Sequence, residues 1–297
     1  MSCKVSTSGN RAYGVARVMA VWDLPRSSFY AARSRKLNPR EPNKRGPKAL
    51  SDAELLSAIR EVLSEAVFTG EGYRKVWARL RHKGTRTSKE RVNRLMRENQ
   101  LLSPHRQPTK VRHHPHDGVI VTDQPDQMWG TDATATVTAA EGAVTVFAAI
   151  DHCTGECVGI HGVKRATRFE ALEPIRQGVR EHFGVFGPGR AAGLKLRHDH
   201  GSVYMSDEFQ NEVRFLGIES SPAFVRQPEG NGCIERFFRT LKEQLLWVRD
   251  FRDLDELHTA LNGFRDRYNN QWIVGRLGYR TPAQARRDFS LALPAAA

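Results

Sequence analysis

The spacing of apolar residues changes along the chain, and each change marks a different kind of element. In residues 11–35, Val15, Val18 and Met19 supply one short helical face. Val21-Trp22-Asp23-Leu24 interrupts it, and Pro25 suits the first position of a second helix over 25–33. Residues 34–50, rich in proline, lysine and arginine, read as a linker. Leu55, Leu56, Ile59 and Leu63 then predict a helix over 52–66, opened by Ser51 and Glu54 in the capping-box pattern. Tyr73, Val76, Trp77 and Leu80 predict a second helix. Val92, Leu95 and Met96 predict a third, behind the capping pair Thr87 and Glu90. Residues 103–123 form a second linker, containing proline and several histidines.

From about Gln124 the rhythm shortens to that of strands. Residues 128–137, 144–151 and 157–163 alternate or run apolar, with turns at 139–142 and 152–155, which predicts a three-stranded antiparallel meander. Thr167 and Glu170 form a capping box ahead of Phe169, Leu172, Ile175, Val179 and Phe183 at helical spacing, a helix that Pro174 kinks. A fourth strand ends at Asp199. A helix over 207–216, a strand near 218–220, a helix carrying Glu235 and a helix over 254–268 follow, with 291–297 as a tail. Strands and helices in this order predict an α/β domain, a mixed five-stranded sheet with flanking helices, preceded by small all-α modules. The expected boundaries are 1–35, 36–50, 51–102, 103–122, 123–250 and 251–297.

Charge divides the chain more sharply than hydropathy does. Residues 1–112 hold 25 Lys and Arg against 9 Asp and Glu, net +16, while residues 113–297 hold 21 against 24, net −3. A basic module joined to a nearly neutral one points to a polyanion-binding part attached to a part with another task. No apolar run approaches the ~20 residues that span a bilayer, and the first ten residues lack a signal-peptide core, so a cytoplasmic, nucleoid-associated protein with no membrane partner is expected. Cys3, Cys153, Cys157 and Cys233 are too scattered for a disulfide framework. His113, His114 and His116 lack paired cysteines at zinc-finger spacing, so no structural zinc is expected.

Three acids stand out from this background. Asp132 lies in WGTDAT on the first strand, Asp199 in DHGSVY at the end of the fourth, and Glu235 in EGNGCIERFFRTLK on a helix, with 35 residues between the last two. These motifs, in this order and at this spacing, resemble those of the retroviral integrase superfamily, specifically the transposases of bacterial insertion sequences. The resemblance implies a ribonuclease H-like catalytic core that cleaves and joins DNA strands at the element's ends. It further implies two Mg²⁺ ions, for which Mn²⁺ can substitute, with Asp132 bridging both, Asp199 completing one site and Glu235 the other. Duplex DNA, both element ends and target, is the implied partner, bound by a homo-oligomer. An upstream-frame helix-turn-helix and leucine-zipper segment, which many relatives gain by frameshifting, is a further implied partner. Where relatives commonly carry arginine and histidine after their YNN tract, this chain has Gln271-Trp272-Ile273-Val274-Gly275.

Phosphodiester chemistry supports the same assignment from the residues themselves. Two divalent ions about 3.5–4 Å apart can activate a nucleophile, stabilise a leaving oxygen and neutralise charge at phosphorus. Magnesium takes oxygen ligands, so carboxylates on rigid elements suffice. Asp123, Asp151 and Asp207 have turn or helix-start neighbours and fit structural roles instead, and His198 and His200 alternate away from Asp199. On the Glu235 helix, Ile234, Phe237, Phe238, Leu241 and Leu245 form the core face, while Arg239 and Lys242 share a stripe with Glu235 suited to DNA phosphates or to an ordinary surface pair. Gly230-Asn231-Gly232 reads as a flexible turn or a helix cap. In the basic third, Arg91, Arg94 and Arg97 line the outer face of the third helix with little opposite charge in sequence, which favours DNA contact. Residues 11–35 leave two readings open: a helix-turn-helix presenting Arg26, Ser27, Ser28 and Tyr30 to DNA, or a basic hairpin packed on a neighbour. Other functions compatible with these motifs are an inactive DNA-binding relic or regulator and a structure-selective nuclease.

Overall fold

A computed structural model describes residues 4–37, 50–104, 122–223 and 231–292. The chain divides into two compact units, residues 1–51 and 52–297. In the first, α1 (Val15–Val21) and α2 (Arg26–Leu37) flank a turn in which Asp23 takes a left-handed φ of 49°. Pro25 caps α2 rather than entering it, its carbonyl accepting from the Phe29 N–H. No proline follows before Pro39, so α2 runs on to Leu37 through residues expected to begin a linker. Met19 is buried, but α2 buries no residue, and Val21, Trp22 and Leu24 stand exposed.

The second unit begins with α3 (Asp52–Ser64), α4 (Tyr73–His82) and α5 (Lys89–Glu98), close to the predicted limits. Leu55, Ile59, Val62, Val76, Leu80, Val92, Leu95 and Met96 form their common core. The cap of α5 is Ser88, one residue after the expected Thr87; its hydroxyl accepts from the Arg91 N–H at 3.1 Å. This small core does not stand alone. Phe68 inserts into the larger core, edge-on to Phe264 and Trp272. Thr69 and Gln244 exchange hydrogen bonds, and Lys75 sits over the Trp272 ring.

A five-stranded sheet is built from β1 (Met128–Thr138), β2 (Gly142–Asp151), β3 (Cys157–Val163), β4 (Lys195–His198) and β5 (Glu219–Pro222), in the order β3-β2-β1-β4-β5. The first three form the predicted antiparallel meander; β4 and β5 add on in parallel. Pro174 divides the expected kinked helix into α6 (Arg168–Ala171) and α7 (Glu173–His182), where it occupies the first turn of α7. Thr167 caps α6 as predicted, accepting from the Glu170 N–H. On one face of the sheet, α7 and α8 (Asp207–Phe215) cover Trp129, Phe147, Val158 and Leu196. On the other, α9 (Gly232–Leu241) and α10 (Leu254–Gln271) cover Val144, Val146, Ala148 and Ile150.

Two elements depart from the expected pattern. A π-helical turn, Lys242–Leu246, extends α9, and a final helix, α11 (Pro282–Ala292), follows α10 where only a tail was expected. Arg286 anchors α11 by pairing with Asp126 at 2.6 Å and with Glu156.

Candidate active site

Strand register places the first two acids. Gly130 on β1 pairs with Arg197 on β4, the strands are parallel, and Asp132 and Asp199 each lie two residues further on. They therefore stand level, on one face, across neighbouring strands about 4.8 Å apart. That face is set by Asp132's partner on β2, Ala148, which belongs to the core under α9 and α10. Glu235 projects from the first turn of α9 over this same face, with Ile234, Phe237, Phe238 and Leu241 buried beneath it. Three acids far apart in sequence thus share one surface.

Electrostatics records the convergence. Asp132 is half-buried while Asp199 and Glu235 are exposed. Burial first, then the charges of Asp199 and Glu235, push the Asp132 carboxyl up to about 6. The N–H of Ala133, at 2.8 Å from its own oxygen, and the ammonium of Lys242 offset part of this rise. Lys242 is therefore near enough to Asp132 to act on it electrostatically. Among the described residues, Glu235 and Arg239 are both exposed and form no ion pair with each other. An all-oxygen set of like charges around a half-buried carboxyl is what a hard divalent cation stabilises, so the residues fit magnesium.

Two glycines shape the site. A Cβ at Gly201 would lie 2.8 Å from Asp199 Oδ1, the atom to which the Gly201 N–H donates at 2.8 Å. This turn fixes the Asp199 carboxylate, and it needs a residue without a side chain. At Gly130, a Cβ would meet His152 Nε2 at 2.7 Å and Asn231 Oδ1 at 3.1 Å. Asn231 precedes α9 but gives it no side-chain cap; it is buried, and its amide nitrogen donates to the Thr131 carbonyl at 3.4 Å. The start of the Glu235 helix is thereby tied to the strand of Asp132. Gly230 lies outside the described residues. These supports were not identified from sequence, although the glycines in WGTD and DHG were the available signal.

The neighbouring histidines are occupied. His198 bonds Ser220 and the Asp199 carbonyl and stacks on Tyr204; His200 bonds the Ala223 carbonyl. Asp151 holds its turn through Thr154 and Asp126. A closer group of ligand-type side chains exists at Glu156, Glu181 and His182, whose ligand atoms lie within 4.8 Å of one another; the triad is spaced more widely. Arg286 and Arg265 already neutralise those two glutamates, which makes that group an ion-pair network rather than a cation site. Cys153, Cys157 and Cys233 are free thiols, and burial pushes Cys153 up to about 11 and Cys157 up to about 12, so neither is a ready nucleophile. His113, His114 and His116 lie outside the described residues, as does Cys3.

The basic residues proposed to touch DNA are placed unequally. Arg26 and Ser28 are exposed at the start of α2. On α5, opposite charge is supplied by the fold although sparse in sequence. Arg91 and Arg94 both bind Asp52 at 2.6 Å, and Arg94 also binds Glu98 at 3.1 Å. Arg97 is exposed and makes no ion pair among the described residues. No helix among the described residues is long and apolar enough to cross a membrane.

A 3-2-1-4-5 mixed sheet, with acids level on its parallel central pair and a third on the helix across them, defines a ribonuclease H-like integrase core. Comparisons agree. Residues 51–109 match an HTH-like domain and residues 216–282 an integrase core domain. The InsD transposase of insertion element IS2 from Escherichia coli is 28% identical over 244 residues, covering 80% of this chain and 79% of the relative. The InsD encoded by IS2 on the F plasmid of strain K12 matches to the same extent. Among solved structures, the catalytic core of BIV integrase aligns at 19% identity with a TM-score of 0.42, covering 56% of this chain and 97% of that one. The HTLV-2 integrase core in complex with magnesium aligns at 20% identity and a TM-score of 0.41, covering 55% and 98%. The chain is thus similar to insertion-element transposases over most of its length, and to HTH-like and integrase core domains over the segments matched.

Proposed function

We propose that the protein is a transposase that nicks the ends of an insertion element and joins them to target DNA. The observation that carries this reading is the convergence of Asp132, Asp199 and Glu235, registered in the upward push of the Asp132 carboxyl. The three would hold two Mg²⁺ ions, or Mn²⁺ in their place; proteins with this core are typically dependent on divalent metal. Once bound, the metals supply charge neutralisation at phosphorus and activation of the attacking oxygen. The chain's own residues do the rest. Gly201 holds the Asp199 carboxylate, Asn231 fixes the Glu235 helix to β1, and Lys242 neutralises a phosphate flanking the scissile bond. In the first step water bonds to phosphorus and the 3′ oxygen leaves; in the second that 3′-hydroxyl attacks a target phosphodiester and displaces its 3′ oxygen. No covalent enzyme intermediate forms.

The HTH-like module and the residues 1–35 supply affinity for duplex DNA, working as a homo-oligomer on paired ends. Domain limits at 51–102 and 123–250 are proposed on the same division of labour. Incubating the protein with Mg²⁺ and labelled duplexes carrying candidate ends tests the proposal. Nicked and joined products are expected. Tight binding with no cleavage under any divalent metal would instead support a DNA-binding regulator, and cleavage directed by DNA structure with no joining would support a nuclease.

A further inference from the structure

The π turn after α9 has a geometric effect on the surface that carries the acids. Glu235, Arg239 and Lys242, at i, i+4 and i+7, form one stripe. In an uninterrupted α-helix Leu246 would continue it, four residues beyond Lys242. The chain instead inserts one residue. The Trp247 N–H donates to the Lys242 carbonyl at 2.9 Å, five residues back, so Trp247 takes the place relative to Lys242 that an i+4 residue takes in an α-helix. Leu246 is turned inward, 8% exposed, and joins the core with Leu245. Trp247 is left 70% exposed at the end of the stripe. A large aromatic side chain is thereby set in line with two cations and a catalytic acid.

We propose that Trp247 stacks on an unpaired base of the DNA strand held at the acid site, with Arg239 and Lys242 along that strand's phosphates. The inference rests on the proposed function. Lys242 acts on Asp132 electrostatically, so the stripe leads directly away from the acids. A cationic track ending in an aromatic face is the surface a single strand uses, because every base offers a π-face and every nucleotide a phosphate. Trp247 stands roughly 18 Å from Glu235 along the helix axis. At the 3.4 Å per nucleotide of a duplex strand this is about five nucleotides, and an unpaired strand is more extended, so the stacked base lies within about five nucleotides of the scissile phosphate.

Binding rather than cleavage gives the test. Full-length protein is titrated with a labelled duplex bearing an eight-nucleotide single-stranded extension, in which one position at a time is made abasic. Wild type should lose affinity roughly tenfold at one position within the first five nucleotides or so and little elsewhere. Trp247→Leu should bind the intact extension about tenfold more weakly and show no further loss from the abasic position, whereas Trp247→Phe should retain most of the wild-type affinity and the same positional dependence. Equal binding by wild type and Trp247→Leu overturns the proposal, as does a Trp247→Leu protein that changes its sedimentation but not its DNA affinity, since that marks a protein contact. Wild type that shows the positional loss yet joins no ends under Mg²⁺ leaves the stacking site standing and defeats the transposase reading alone.

Discussion

On α5, two guanidiniums converge on one carboxylate, Asp52, and a second carboxylate, Glu98, completes the set. On β1, Asp132 has two further carboxylates beside it and a single lysine. The first cluster is nearly neutral within itself: hydrogen bonds from Arg94 and Arg91 hold Asp52 below the usual carboxylate range. In the second, burial and like charge hold Asp132 well above it. Both were equally visible in sequence as charged positions on regular elements. What separates them is whether the fold supplies the opposite charge. Compensated charge serves structure; a half-buried excess of one sign costs stability and persists where an external ion or substrate completes it.

The comparison breaks most completely at the triad. Asp132→Asn, Asp199→Asn and Glu235→Gln should each lower Mg²⁺-dependent cleavage by at least about a thousandfold, or ~4 kcal/mol in the barrier. Circular dichroism and duplex binding should stay at wild-type levels. Substantial cleavage by any one variant removes that residue from the set.

A compensated network should respond in the opposite sense. Arg286 is mostly buried against Asp126 and Glu156, and burial is already raising the Glu156 carboxyl. Arg286→Leu leaves two carboxylates without their cation and should cost about 3 kcal/mol of stability. Denaturant midpoints measure this, and because the charges acting on Asp132 are those of Asp199, Glu235 and Lys242, cleavage at temperatures where the variant stays folded should be near normal. A midpoint unchanged from wild type would mean that α11 is not held by this network.

Much of this was legible in sequence, and what was not has physical reasons. The strands from 128 to 163 alternate cleanly, so the meander and the level of Asp132 followed from pattern. The grouping of Asp132 with Asp199 and Glu235 was suggested by motif, and the latter two do act on Asp132 electrostatically. Arg286 was not legible, because its partners at 126 and 156 are brought to it only by the fold, and a lone arginine in a helix reads as solvated surface. The π turn was illegible for a related reason: five residues, Lys242 to Leu246, cannot signal a change of helical period. Phe68, isolated between helices, gave no sign that it joins the HTH-like module to the catalytic core. Ser88 and Thr87 are equally good caps by type, and only backbone geometry chose between them.

Asp132 offers a sharper test, because the same substitution that abolishes cleavage should stabilise the metal-free protein. An aspartate ordinarily ionises near 3.8, and Asp132 does so at about 6. Between those values the folded state holds a proton that the unfolded chain has lost, so stability falls as pH rises through the window, and the loss is complete above it. In chelator, wild type should thus lose roughly 1–3 kcal/mol between pH 4 and pH 6.5 from this group. Asp132→Asn should lack that component and exceed wild type at pH 7. Mg²⁺ should restore wild type and leave the variant unchanged. A variant no more stable than wild type at pH 7 would mean that the acids already have their compensation within the chain.

The smallest expected effect lies on α5, where the contrast between paired and unpaired charge can be tested within three turns of one helix. Arg97 is exposed without an ion pair among the described residues, while Arg94 is engaged by Asp52 and Glu98. A cation already paired releases fewer counterions from DNA, because moving it to a phosphate leaves its carboxylates uncompensated. Arg97→Ala should therefore reduce the slope of log K against log salt by about 0.9, the value for one phosphate contact, and weaken binding less than tenfold at moderate salt. Arg94→Ala should change the slope by clearly less, and cost little stability, as exposed pairs do. Full-length protein titrated with one duplex across a salt series measures both. Equal loss of slope in the two variants would show that the α5 ion pairs open on DNA, and that compensation in the unbound fold does not identify a structural charge.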